Sequence, residues 1–212
     1  TDPLGRLERT TRWLTITTFG STEAIEREAR RVNELHSHVK GEYPAKDGKP
    51  QPYSARDARH LLWVHCAFTD SFLRAQIELG YPIALGADRY VQEWAKSAVP
   101  LGLNNAPQSA LELQEAIAGF VVNEVEAIAM TPPIVKFILK PPFSKGGLFF
   151  YRILANAAIA TIDEPFLTVL GLKKRSKIWL RVSRKLLDFL SYMLGHESPS
   201  QKIARARIQA LQ

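Results

Sequence analysis

Apolar residues recur at intervals of three and four along nearly the whole chain, and no two segments alternate convincingly as paired strands would. Only a 3.6-residue repeat places positions i, i+3, i+4 and i+7 on one face, so this period commits the backbone to helices. Proline and glycine then set their number. Asp2-Pro3 opens a first helix with proline in its first turn, ending near Gly20. Ser21 or Thr22, with Glu23 and Glu26 following, starts a second that runs to about Lys40 and stops at Gly41. Residues 42–54 carry three prolines and a glycine and read as a loop. Ser54 caps a third helix over about 55–79, closed by Gly80-Tyr81-Pro82. Further helices are expected over 87–98, from Gln108 or Ser109 to about Met130, and in a short stretch to Lys140. Others follow over 146–161, 164–170 and 173–194, with the tail beyond Pro199 helical or frayed. No repeat and no long linker divides the chain. The expected fold is all-α: a single-domain helical bundle of about eight helices over residues 1–212.

A chain of 212 residues is long enough to bury a substantial core, and 46% hydrophobic with 23% charged residues excludes a disordered polymer. Cys66 is the only cysteine, which excludes an intrachain disulfide and a zinc site of several thiolates, and fits a reducing, cytoplasmic compartment. The longest apolar runs, such as AIAGFVV, fall short of the roughly 20 residues of a spanning helix. The net charge of +7 is uneven: from Gly171 onward ten Lys or Arg face two acids, so the preceding part carries about −1. Nucleic-acid binding is disfavoured, because no recognition motif accompanies these cations. The helix over 173–194 has a basic start and then Ile178, Trp179, Val182, Leu186 and Leu190. That pattern fits peripheral contact with an anionic membrane surface, or a core-packing helix with a solvated basic face.

Three helices carry candidate chemistry. On the second, Ile25, Ala29, Val32, His36 and Val39 form one stripe, so His36 points with the apolar face and His38 toward the polar side. On the third, His65 falls on the stripe of Leu61, Phe68 and Phe72, while His60 lies off it. On the first, Arg6, Arg9 or Thr10, and Trp13 share a face. Two inward histidines with a nearby arginine and threonine suit a haem pocket, in which imidazole binds iron and arginine pairs with a propionate. Spacing alone favours a plainer reading, buried histidines bonded to carbonyls or water. Other chemistries lack support: there is no phosphate-binding glycine loop, no HExxH and no nucleophile elbow. Glu124 and Glu126 do not share a helix face, which argues against a di-iron carboxylate bundle.

The segments DPLGRLERT, RRVNELHSHVKG, PYSARDARHLLWVHCAFTDSF and YVQEWAKSAVPLGL resemble the mpaB-type and rubber oxygenase catalytic-domain family, which includes latex-clearing proteins. The order Arg-x-x-[Lys/Arg]-Thr, V-x-x-x-H-x-x-V and W-V-H is the most specific part. The resemblance implies a haem b cofactor with His36 as the iron's proximal ligand, Arg6 and Thr10 near the haem and its propionates, and His65 close to the pocket as second choice for axial ligand. Arg9 stands where latex-clearing proteins carry a lysine that approaches the distal side of the iron. A guanidinium stays protonated and ligates iron poorly, so an open or water-filled sixth position, or another distal partner, is expected. The family's proposed catalytic acid and a helix covering the pocket would lie upstream of Thr1. The function implied is an oxidoreductase: an oxygenase that uses dioxygen on a hydrophobic, isoprenoid or terpenoid small molecule. The alternative is a non-catalytic helical protein binding haem or an apolar ligand, such as a sensor or carrier.

Overall fold

Serine hydroxyls start several of the helices, as the sequence predicts. In the computed structural model, which describes residues 3–44 and 49–210, Ser21 has extended backbone and accepts the Ala24 N–H at 3.3 Å, opening α2 (Thr22–His38) after α1 (Pro3–Phe19). Asp2, expected to cap α1, lies outside the described residues. Helix α3 spans Ala58–Glu78 and α4 Gly86–Ala95, followed by a 3-10 turn at Val99–Leu101. Ser109 then accepts the Glu112 N–H at 3.1 Å while Glu112 accepts the Gln108 N–H at 2.8 Å, starting α5 (Ala110–Asn123). The remaining helices are α6 (Thr131–Leu139), α7 (Lys145–Thr161), α8 (Glu164–Leu170), α9 (Ile178–Leu194) and α10 (Pro199–Gln209). Ten α-helices thus occur among the described residues, where about eight were expected. One added element is the tail: Ser198 and Gln201 form a reciprocal capping box that fixes α10.

The clearest departure from expectation is at residues 40–54. Instead of a loop, β1 (Lys40–Pro44) and β2 (Pro50–Ser54) form an antiparallel pair, with Gly41 opposite Tyr53 and Tyr43 opposite Gln51. Pro44, Pro50 and Pro52 fall on every second pair of this register, which lets their missing N–H groups share the outer edge. A two-stranded ribbon has two edges, so prolines that would break a central strand are accommodated. Helix α3 correspondingly starts later than expected, where Asp57 accepts the Arg59 N–H at 2.7 Å. Helix α5 ends at Asn123 rather than near Met130, and Pro132 and Pro133 lie in the first turn of α6 instead of terminating its predecessor.

Two compact units are distinguished by their internal contacts. The first comprises Thr1–His65, Gln92–Ala106 and Gly195–Gln212, and the second Cys66–Val91 and Pro107–Leu194. Within the first, α1 packs on α2 and α10, and α2 packs on the 3-10 turn, where Asn33 donates to the Pro100 carbonyl at 3.2 Å. Ala95, Ala98, Leu103 and Ala106 form a small-residue core with Leu62 against it. Arg207 of α10 donates to the Phe19 and Gly20 carbonyls at 3.0 and 2.9 Å, satisfying the open end of α1. Arg207→Ala is expected to cost about 1–2 kcal/mol in urea unfolding, since charge-assisted bonds to otherwise unpaired carbonyls are lost. An unchanged midpoint would mean water replaces the guanidinium at no cost.

Within the second unit, α7 and α9 pack antiparallel. Leu180 meets Ala157 and Ala160, and Ser183 donates to the Ile153 carbonyl at 3.3 Å. Trp179 packs against that cluster and Leu186 is half-buried, so of the two readings of the α9 stripe, lipid contact or core packing, its inner part is core. Phe120, Leu113 and Leu167 are the largest fully buried side chains. Arg74 bridges Asp70 and Asp163, at 2.7 Å to the latter, and Gln114 donates to Asp70 at 2.8 Å. The predominantly α-helical class read from periodicity is the class observed.

Candidate functional site

The face shared by α1 and α2 is organised by a charged residue inside an apolar seam. Glu28 sits beside Ala29 at the edge of the stripe of Ile25, Val32 and His36, and is only 3% exposed. Its carboxylate accepts Arg31 Nε at 3.0 Å and Arg12 Nε, from α1, at 3.2 Å. The bonds to Arg31 hold its pKa below the usual carboxylate value against the cost of burial. Glu28 and Arg12 were not singled out in the sequence. The available signal was an acidic residue at the margin of an apolar stripe, opposite a helix with several arginines.

His36 lies on the same helix two turns further on. It is half-buried, and its Nδ1 is shielded from solvent with no hydrogen-bond partner among the described residues. Burial lowers its pKa, so the imidazole is neutral at physiological pH. A buried polar atom without a partner costs about 1–3 kcal/mol unless something satisfies it. His38, by contrast, is exposed and approaches Glu34 at 3.2 Å, as its side of the helix predicts. His65 is buried at 8% exposure, and desolvation pushes its pKa down to about 4. His60 lies against Tyr53, ring centroids 4.9 Å apart, with Nδ1 3.2 Å from the Ser54 carbonyl. Cys66 is fully buried, a small core residue as expected.

On α1, Arg6 and Arg9 are exposed and Thr10 is half-buried. The Thr10 hydroxyl donates to the Arg6 carbonyl at 3.0 Å, which leaves its oxygen lone pairs available to accept. A surface cavity of about 530 Å³ runs along α1 and is lined by Leu7, Glu8, Thr11, Arg12 and Thr15. At 100° per residue these five residues lie on the side of the helix opposite Arg6, Arg9 and Thr10. The cavity therefore does not belong to the face expected to meet a propionate.

The sequence model describing the catalytic domain of the ER-bound oxygenases mpaB/B′ and the rubber oxygenases matches residues 1–192. The chain belongs to this oxygenase family. No curated protein and no solved structure matches it. Among the described residues of this oxygenase-family chain, no three His, Cys, Asp or Glu side chains converge as a metal cluster. Haem needs no such cluster, because the macrocycle supplies four nitrogens and the protein one axial ligand. His36 fits that requirement in two respects: a neutral ring and a buried nitrogen with its hydrogen-bonding capacity unspent. Arg6 and Arg9 are positioned by α1 as solvent-facing cations, the chemistry a carboxylate-bearing edge requires. No helix of the described residues is long and apolar enough to cross a membrane.

Proposed function

We propose that this chain is a haem b-dependent oxygenase acting on a hydrophobic small molecule of isoprenoid or terpenoid type, with His36 as the iron's protein ligand. The observation that carries the reading is the buried Nδ1 of His36, without a hydrogen-bond partner on a neutral imidazole, at the histidine of V-x-x-x-H-x-x-V. Haem b, when bound, supplies the redox chemistry by which dioxygen is activated. The chain's own groups hold, orient and shield. His36 offers a nitrogen lone pair and needs no deprotonation to do so, because burial has already disfavoured its charged form. Arg6 would pair with a haem carboxylate, and Thr10 would accept or donate a hydrogen bond to the same group. Arg9, whose guanidinium ligates iron poorly, would act beside the bound group as a hydrogen-bond donor rather than as a ligand. His65, neutral above a pKa of about 4, is the second candidate that would hold the iron.

Incubating haem-loaded protein under oxygen with a panel of polyprenyl and terpenoid compounds tests the catalytic half of this reading. Oxygen uptake matched by an oxygenated or cleaved product is expected for at least one member. Full haem occupancy with no uptake across the panel would assign the chain to haem or apolar-ligand binding without catalysis.

A further inference from the structure

Helix α9 has a second apolar face that the second unit does not cover. Leu180 and Ser183 point into the core, whereas Ile178, Val182, Phe189 and Met193 fall within about 60° of one another on the opposite side. All four are exposed, Phe189 at 59%. A helix that is apolar on both sides requires something against both. The antiparallel packing of α7 on α9, with Ser183 beside Ile153, brings the first turns of α7 to the same end as the last turns of α9. There Phe149 and Phe150 are exposed, Phe149 at 62%. The Tyr151 hydroxyl donates to the Ile138 carbonyl at 2.6 Å, which ties in α6 and its exposed Ile134, Phe137 and Ile138. Exposed apolar side chains of α6, of the first turns of α7 and of the last turns of α9 therefore lie at one end of the α7–α9 pair.

Charge identifies the occupant. Residues 127–152 contain four cations and no acid, and residues 165–187 contain seven cations and no acid. Lys136, Lys140, Lys145, Arg152, Arg181 and Lys185 are all exposed and form no ion pair among the described residues. Arg181 and Lys185 stand within or beside the outer stripe of α9 itself. A second copy of the chain would bring the same cations against one another across a two-fold contact, which opposes self-association through this face. An anionic phospholipid surface instead neutralises the cations while its acyl boundary receives the phenylalanines and aliphatic side chains.

We infer that the α6–α7–α9 face of the second unit docks the protein peripherally on anionic phospholipid bilayers, through Phe149, Phe150, Phe189 and Met193 inserted between exposed Lys and Arg residues. This docking is independent of haem and of the oxygenase reading.

The test is co-sedimentation of the full chain with phosphatidylcholine vesicles, with and without about 30% phosphatidylserine, at low salt and at about 0.5 M salt. Binding is expected to require phosphatidylserine and to fall with salt. Phe149→Ser with Phe150→Ser should weaken partitioning by at least about tenfold, since two inserted rings are lost. Lys136→Gln with Lys140→Gln should weaken it by about fivefold for each cation removed. The lysine pair lies outside the apolar packing and serves if the phenylalanine pair perturbs folding by circular dichroism. Absence of binding to phosphatidylserine vesicles at low salt overturns the inference, as does equal binding to both vesicle types. A lipid-free dimer in sedimentation velocity that the phenylalanine pair abolishes would assign the face to a second copy instead.

Discussion

Lowering the pH from 7 to 5 is expected to remove about 2 kcal/mol of folding stability through His65, rising to about 3 kcal/mol near pH 4. The imidazole's pKa falls from 6.5 in the unfolded chain to about 4 in the folded one, because burial penalises the charged form. Between those values the unfolded state binds a proton that the native state does not. Stability therefore rises with pH across the window and is fully present above about 6.5. His36 contributes in the same sense, with its pKa also lowered by burial. Urea unfolding at pH 7 and pH 5 measures the loss, and the comparison with His65→Leu isolates it: the variant should keep only the smaller dependence left by His36. If His65→Leu loses as much stability on acidification as the parent chain, the imidazole does not carry this linkage.

The second large effect concerns Glu28, and the two sides of its ion cluster should behave differently. Arg31→Ala leaves a carboxylate at 3% exposure with Arg12 as its remaining partner, and is expected to cost about 2–3 kcal/mol. That lies at or below the usual range for breaking a buried pair, because Arg31 is itself one-third exposed and Arg12 stays in place. Glu28→Leu removes the buried charge altogether and returns both guanidinium groups to water, so it should cost no more than about 1 kcal/mol. The order Arg31→Ala worse than Glu28→Leu is the discriminating result in chemical unfolding. The reverse order would mean that the carboxylate contributes net attraction well beyond its desolvation. Acid acts on the same cluster: the depressed Glu28 pKa means its stabilisation is present above the unfolded value of 4.5 and is lost as pH falls through the lower folded value.

The helices were legible because each rests on a local signal. A serine cap followed by periodic apolar residues marks α2 and α5. The β1–β2 hairpin was not legible, because its prolines argue for a loop unless the register places them on alternate pairs, and register is a property of two segments together. The stripes of α2 and α3 carry His36 and His65, and His38 lies outside as an exposed residue, but His60, also off its stripe, is half-buried because Tyr53 of β2 packs on it. Spacing said nothing of what meets His36 Nδ1. Glu28 was missed for the converse reason: its partner Arg12 is supplied by another helix, so the pairing exists only in three dimensions. On α9, periodicity found an amphipathic helix but mixed residues from its inner and outer faces, since both faces are apolar.

The central claim is that His36 is the iron ligand of a haem-binding oxygenase. The most direct measurement is the visible spectrum of haem-supplied protein, oxidised and after dithionite with carbon monoxide, together with a pyridine haemochrome assay, for the parent chain, His36→Ala and His65→Ala. Near-stoichiometric b-type haem with a carbon-monoxide-shifted Soret band is predicted for the parent and for His65→Ala, and its loss for His36→Ala. Full haem retention with an unchanged spectrum in His36→Ala would contradict the account.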